Sequence, residues 1–446
     1  MTPNPIDGRR NAPVLALAAL AVAVAGALAS SPAQASGFQL KENSAKALGR
    51  AFAGSTAGPA DPSVVANNPA AMTELQGTTF GAGLTVISFK TEFTGSGTDG
   101  SGQPLTGGNG GNGGTTAPVP ALFYSTPMGE RGRFGFALTV PYGFTTEYPR
   151  DWKGRYKAVK SKLQTIDGTF SYAYEFSDSF SLGASAIVQH TSADLTSMVD
   201  YGSLLGAPQQ ADGLARVTGS STDYGWQLGF LWKMGSNDRL ALNYRAKISH
   251  TLEGNASFHD VPSQLGQLVA LGNFQNTTGR ADFATPSVLH LSYWHQAGPR
   301  FGFGLDVART DWSSFDELRI QYGSAQADTA EPEQWDATML YALGGDYRLN
   351  DNWTLRAGVA YDETPTNDLT RTPRVPDGSR RWLSFGFTWQ PSDSFEVDLG
   401  YAHLWVDSVS IDDTPLTGTG GPMGSTLAGS FDSSANLLGA SLTYKF

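Results

Sequence analysis

The sequence predicts an all-β protein: a closed antiparallel transmembrane β-barrel of about 14 strands behind a small N-terminal helical segment. Three observations carry this. Segments of period-two alternation recur from Gln76 to the end, short and long connections alternate between them, and residues 436–446 form a strand ending on its own aromatic residue. In that last stretch Leu438, Ala440, Leu442, Tyr444 and Phe446 make an apolar row, and Gly439, Ser441, Thr443 and Lys445 a polar one. A period of two with one greasy and one wet face is the repeat of a half-buried strand. Such a strand suits a barrel, in which the last strand closes on the first so that no edge meets lipid. Taken alone it also suits a soluble sandwich, and the rest of the chain decides.

Composition narrows the classes. A formal charge of -11 over 446 residues leaves no basic face for nucleic acid. Cysteine is absent, which removes disulfides, thiolate metal sites and cysteine nucleophiles and fits an oxidising compartment. The 53 Gly, 24 Phe, 16 Tyr and 10 Trp fit many strands, tight turns and rings at a membrane–water boundary.

Residues 1–35 read as an export signal: Arg9 and Arg10, an apolar run over 14–29, and the small-x-small pattern Ala33-Gln34-Ala35. After them no stretch has the roughly 18 uninterrupted apolar residues of a membrane helix. Residues 36–75 differ from everything that follows. Leu40, Ser44, Ala47, Leu48, Ala51 and Phe52 recur at helical spacing, and Asp61-Pro62-Ser63 opens a second short helix that ends near Asn68-Pro69-Ala70. This segment is either a plug inside a barrel or a helical cap on a soluble domain.

Residues 76–446 carry the strands. Alternation is clear over 133–140 (Phe134, Phe136, Leu138, Val140), 169–176 and 180–188, then in seven further segments from 226–234 to 395–401. Asn243, Arg245, Lys247, Asp306, Arg356, Glu396 and Asp398 fall on the opposite face and would line an interior. Short turns at 129–132, 177–179, 235–237, 298–299, 350–351 and 391–393 alternate with long loops, among them 192–220, 252–280 and 364–379. One short and one long connection per hairpin is the pattern of an outer-membrane barrel.

The ordered motifs Ser36-Gly37-Phe38-Gln39-Leu40, Leu48-Gly49-Arg50-Ala51-Phe52-Ala53-Gly54 and Asn68-Pro69-Ala70 resemble the N-terminal hatch of FadL-type long-chain fatty acid and hydrocarbon transporters. Tyr142-Gly143 with Thr146-Glu147-Tyr148, the run 349–358, Asp362-Glu363-Thr364-Pro365, Pro376-Asp377 and Arg381-Trp382-Leu383-Ser384 resemble the same family. The resemblance implies a 14-stranded barrel plugged by residues 36–75. It also implies uptake of a long-chain fatty acid or other hydrophobic molecule, passed sideways into outer-membrane lipid by a protein that works as a monomer. A nonspecific porin is the alternative function, and the plug distinguishes the two.

Carried onto this chain, the resemblance places the ligand near Ser36, Gly37 and Phe38, and a lateral gate at Pro141, Tyr142 and Gly143. Pro141 has no N–H for a ladder, so the strand either kinks there to open the wall or simply ends. Phe38 either meets the ligand or packs the plug against the wall. Asn68, Pro69 and Ala70 shape and anchor the hatch. His190 falls where the family places a basic head-group contact; Arg245, Lys247 and Arg356 are the other candidates, though a lumen salt bridge with Asp306, Glu396 or Asp398 is the better reading for each taken singly. The apolar residues Leu204, Leu205, Leu214, Leu265, Leu268, Val269, Leu271 and Phe274 either form an outer capture groove or pack their loops. No nucleophile elbow, phosphate loop or metal-ligand spacing occurs, so neither catalysis nor a cofactor is expected.

Overall fold

The computed structural model describes residues 37–413 and 424–446, which form one antiparallel sheet closed on itself, with a leading segment inside it. The 14 strands are β1 (Thr79–Ser96), β2 (Thr116–Met128), β3 (Gly132–Thr139 and Gly143–Glu147), β4 (Lys160–Ser177), β5 (Phe180–Asp200), β6 (Asp212–Met234) and β7 (Asp238–Arg245 and Ile248–Phe258). They continue as β8 (Thr277–Thr285 and Val288–Gln296), β9 (Phe301–Thr310 and Glu317–Tyr322), β10 (Thr329–Pro332 and Thr338–Arg348), β11 (Trp353–Asp362), β12 (Arg380–Ser392), β13 (Phe395–Val406 and Val409–Asp413) and β14 (Leu427–Lys445). Closure is complete along β1, which pairs with β14 from Thr79 opposite Lys445 to Ser96 opposite Ala428. No membrane-depth backbone on that seam is left without a partner.

The alternation read in the sequence sorts the side chains. On β4, Thr169, Ser171 and Ala173 are buried while Phe170, Tyr172 and Tyr174 are exposed, and β5 to β12 continue that outer apolar belt. Trp353 opposite Trp389 and Phe301 opposite Tyr347 mark its lower rim beside the short turns, where amphipathic rings suit a lipid–water interface.

Three expectations need correction. The loop expected over 192–220 is mostly strand: β5 and β6 stay paired to Asp200 opposite Asp212, and only 201–211 turn the chain. The loop expected over 252–280 is likewise shortened, since β7 runs to Phe258 and β8 begins at Thr277. Beyond the lipid a strand no longer needs an apolar outer row, so the alternation fades while the ladder continues. Lys247 points outward, because Ala246 and Ile248 are both buried and shift the parity at the break in β7.

The leading segment is short of regular structure yet almost entirely buried: α1 (Ala45–Leu48), α2 (Val64–Asn67) and a 3-10 turn (Pro69–Glu74). Buried ion pairs and capping contacts tie it to the wall. Lys46 meets Glu396 at 2.5 Å, and Arg50 meets Asp346 at 3.0 Å while its guanidinium lies 5.0 Å from the Trp294 ring. Asp306 accepts the backbone N–H groups of Gly54 and Ser55. Asn68, fully buried, caps the 3-10 turn through Ala70 N–H and reaches Phe230 O and Leu242 O with its amide. That approach needs glycine on the wall: a Cβ at Gly229 would sit 2.1 Å from Asn68 Oδ1, and one at Gly183 would sit 2.5 Å from Ala70 N.

Asp346 holds both Arg50 and Arg356, the latter at 3.2 Å. Asp346→Ala leaves two buried guanidiniums short of a counter-ion and is expected to cost about 3–5 kcal/mol, read as a lower urea midpoint in lipid vesicles.

Candidate functional site

β3 is interrupted at Val140-Pro141-Tyr142. Below the interruption it pairs with β2 up to Leu122 opposite Leu138, and above it Thr115 Oγ1 donates to Thr145 O and Glu147 N–H to Gly113 O. Between these, no ladder joins β2 residues 116–121 to β3, so the sheet is interrupted there. The freed groups are satisfied from inside. Leu40 N–H donates to Pro141 O at 2.7 Å, Gly143 N–H donates to Phe38 O at 2.8 Å, and Gln39 bridges Tyr142. The facing edge of β2 carries Pro118 and Pro120, which have no N–H to leave unpaired.

Behind the opening lies an aromatic chamber centred on Phe38, itself 1 % exposed. Its ring is 4.5 Å from Trp312, 5.3 Å from Trp335, 5.7 Å from Phe144 and Phe283, 6.0 Å from Phe315 and 6.4 Å from Tyr142, centroid to centroid. A cavity of about 60 Å³ opens on one side of this cluster, walled by Leu163, Leu195, Val217, Leu252 and Ile320, with Glu333 and Arg374 its buried charges. It shares Leu195, Val217, Ile320 and Arg374 with a wider groove of about 320 Å³ among the outer loops.

Gly37 makes the turn that aims Phe38. Its φ is +57°, and a Cβ there would lie 3.0 Å from both Trp312 and Trp335. Its N–H donates to Asp377 Oδ2 at 2.9 Å, and Asp377 also receives Thr364 Oγ1 at 2.7 Å and the Arg380 guanidinium. Asp377 is thus the anchor of the chamber. Its motif was visible in the sequence, but a partner so far along the chain was not.

The other anticipated residues scatter. Ser36 lies outside the described residues. Tyr142 is fully buried, with its hydroxyl donating to Pro286 O. His190 is corrected: it is exposed on the outer face of β5, with Nδ1 2.9 Å from Thr222 Oγ1, because inward parity on β5 belongs to Gln189 and Thr191. Arg356 points inward but is spent on Asp346 and Asp398, away from both cavities. Arg245 points inward too, bound to Asp167 at 2.6 Å with its guanidinium 5.9 Å from the Tyr142 ring. Asn68, Pro69 and Ala70 pack against β5 and β6, far from Phe38 along the leading segment. Leu204, Leu265, Leu268 and Phe274 pack with Val199 and Tyr201 in a loop cluster, of which Phe274 also faces the outer groove.

Glu333 lies in the loop part of β10, outside the lipid belt. Burial pushes its carboxyl well above the usual range and the Glu331 carboxylate adds to this, against the Trp335 indole N–H, which donates to Oε2 at 2.9 Å, and Arg374.

A closed barrel with a belt of lipid-facing rings, its interior occupied by its own leading end, is the build of an outer-membrane transport protein. Residues 26–446 match the family described as outer membrane protein transport protein (OMPP1/FadL/TodX). The long-chain fatty acid transport protein of Salmonella typhi is 30% identical over 412 residues, covering 89% of this chain and 93% of that one. The crystal structure of a Pseudomonas aeruginosa FadL homologue, 30% identical, superposes with a TM-score of 0.86 over 92% of this chain and 100% of that one. The Pseudomonas putida toluene transporter TodX, 18% identical, shares the fold with a TM-score of 0.67 over 92% of this chain and 100% of that one. The chain belongs to the FadL/TodX family of outer-membrane transport proteins. It resides in the bacterial outer membrane and is a transporter, not an enzyme.

Glu333 gives a pH dependence with a definite sign. Its folded pKa lies above the ordinary 4.5, so the folded protein holds a proton that the unfolded chain has lost. The resulting stability is full below 4.5 and is lost as pH rises toward the raised value. Protease resistance of the outer loops is therefore expected to fall between acid and neutral pH, and Glu333→Gln to flatten that profile.

Proposed function

We propose that this protein takes hydrophobic molecules, long-chain fatty acids or related hydrocarbons, from outside the cell into the outer membrane. Residues 1–35 direct export and are removed, and residues 36–75 serve as the hatch. The outer groove captures the solute, the chamber at Phe38 holds it, and the opening beside Pro141, Tyr142 and Gly143 releases it sideways into lipid. The single observation that carries this reading is the contact between chamber and opening: Phe38 and Gly143 share a backbone hydrogen bond, so the binding ring and the edge of the gap are one structure.

Physical chemistry favours this route. Each methylene kept out of water is worth about 0.8 kcal/mol, so an apolar chamber leading to lipid suits a long apolar solute and a wet pore does not. The named cargoes of the relatives, fatty acids in Salmonella typhi and toluene in Pseudomonas putida, belong to the same class. The filled interior supports a hatch and speaks against a nonspecific porin.

Three measurements test it. Single-channel recordings should show no large steady conductance; a porin-like current would contradict the hatch. Phe38→Ala should weaken oleate or toluene binding by about tenfold through lost ring contact. The chain has no cysteine, so cysteines introduced at Pro120 and Val140, both buried and two residues past the last β2–β3 pair, can be oxidised without side reactions. Cross-linked protein should lose uptake and regain it on reduction, and unchanged uptake by fully cross-linked protein would rule out sideways release.

A further inference from the structure

The sheet is also interrupted between β6 and β7. From the short turn at 235–237 these strands pair up to Gln227 opposite Arg245, and pairing resumes only at Ser220 opposite Glu253. In between, Ala246 N–H donates to Trp226 O, and no further pair joins 221–225 to 247–252 among the described residues. The break starts one pair further from its turn than the β2–β3 interruption, which begins past Leu122 opposite Leu138. Beside its lower end stand Trp226 and Tyr244, exposed rings of the lipid belt 5.6 Å apart, so it too borders lipid.

What the backbone leaves unjoined there, side chains join. Asp167 on β4, Gln189 on β5 and Asp223 on β6 stand on one rung, and His250 of β7 completes it. Gln189 Nε2 donates to Asp167 Oδ1 at 2.7 Å, His250 Nε2 lies 2.8 Å from Gln189 Oε1, and His250 Nδ1 lies 2.7 Å from Asp223 Oδ2. Such a buried chain of hydrogen bonds holds its members in place as a unit. One step lower, Ile248 lies over Gly225, where a Cβ would come within 2.4 Å of its Cδ1.

This break adjoins the chamber. The cavity beside Phe38 is lined both by Phe144, next to Gly143, and by Val217, Gly219 and Leu252, at the upper end of the β6–β7 interruption. Phe283, whose ring is 5.7 Å from Phe38, stacks on the His250 ring at 5.9 Å. An apolar solute in the chamber therefore sits beside this break as well as beside the one at Pro141, and here side chains close the way to lipid.

We propose that His250 and Asp223 form a latch, with Ile248 as its stop, that keeps another way out of the chamber shut, so that cargo leaves beside Pro141 and not between β6 and β7. This rests on the transport reading above and adds to it a seal that sets the exit route. His250 and Asp223 are positioning residues: neither lines the chamber cavity, and they act by holding β7 and Ile248 against β6. Asp223→Ala leaves the ring a partner in Ser221 Oγ, 3.1 Å from Nδ1, so the variant is expected to fold.

The test uses cells whose only transporter of this kind is the full-length chain, with the Pro120–Val140 cross-link formed so that uptake of oleate or toluene is lost. In that background Asp223→Ala should raise uptake about tenfold or more over the cross-linked parent. Ile248→Ala, which removes the stop and no polar group, should do the same. Asp223→Asn, which still accepts from His250 Nδ1, should stay within about twofold of the cross-linked parent. Uptake that stays lost in folded Asp223→Ala, or in Ile248→Ala should the first fail to fold, overturns the seal, as does equal recovery in Asp223→Asn. A large steady single-channel current through the purified variants, the mark of a loosened hatch, overturns it too. So does a cross-linked parent that keeps its uptake, since nothing is then held shut. A parent that takes up neither solute before cross-linking brings down the transport reading itself, whereas a working parent that no variant reopens brings down the seal alone.

Discussion

Everything in this structure answers to one constraint: backbone amides and carbonyls at membrane depth must find partners within the protein. The full-length ladder between β1 and β14 meets it at the seam. Beside β3, above the last β2–β3 pair, the wall meets it in a different way, and the compensation is specific. Pro118 and Pro120 remove donors from one lip, while Phe38 and Leu40 supply partners to the other. The ladder is thereby interrupted while Pro141 O and Gly143 N–H keep their partners.

The interior follows from the same logic applied to charge. A barrel interior is polar by alternation, and a segment that fills it must satisfy what it covers. Lys46, Arg50 and the amide of Asn68 do so by pairing with Glu396, Asp346 and wall carbonyls. Buried ion pairs contribute little net stability but are costly to break, so they act here as fixings of position. Against that background the apolar chamber at Phe38 stands apart: its rings come from the leading segment, β3, β8 and the β9–β10 loops, and its charges gather at one end.

Much of this was legible in the sequence because a strand in lipid must alternate. The outward rings of β4 and the inward Asp306, Glu396 and Asp398 fall where period two places them. Legibility ended where lipid ends, so β5 and β6 were read as loop beyond Ser192, and where parity slips, so Lys247 was read as inward. Of the site, Phe38 and the break at Pro141 could be found from motif and from proline chemistry. Asp377 as the anchor of Gly37 could not, since it is a statement about neighbours brought together only by closure. His190 failed for the simplest reason: one residue of register separates the lumen from the outside.

The bond between Gly37 and Asp377 spans 340 positions. The residues that lead the described chain therefore lack their Asp377 anchor until the eleven strands before it have been made. The aromatic chamber is therefore completed only when segments far apart in the chain have come together, a contact of high sequence separation of the kind that forms slowly.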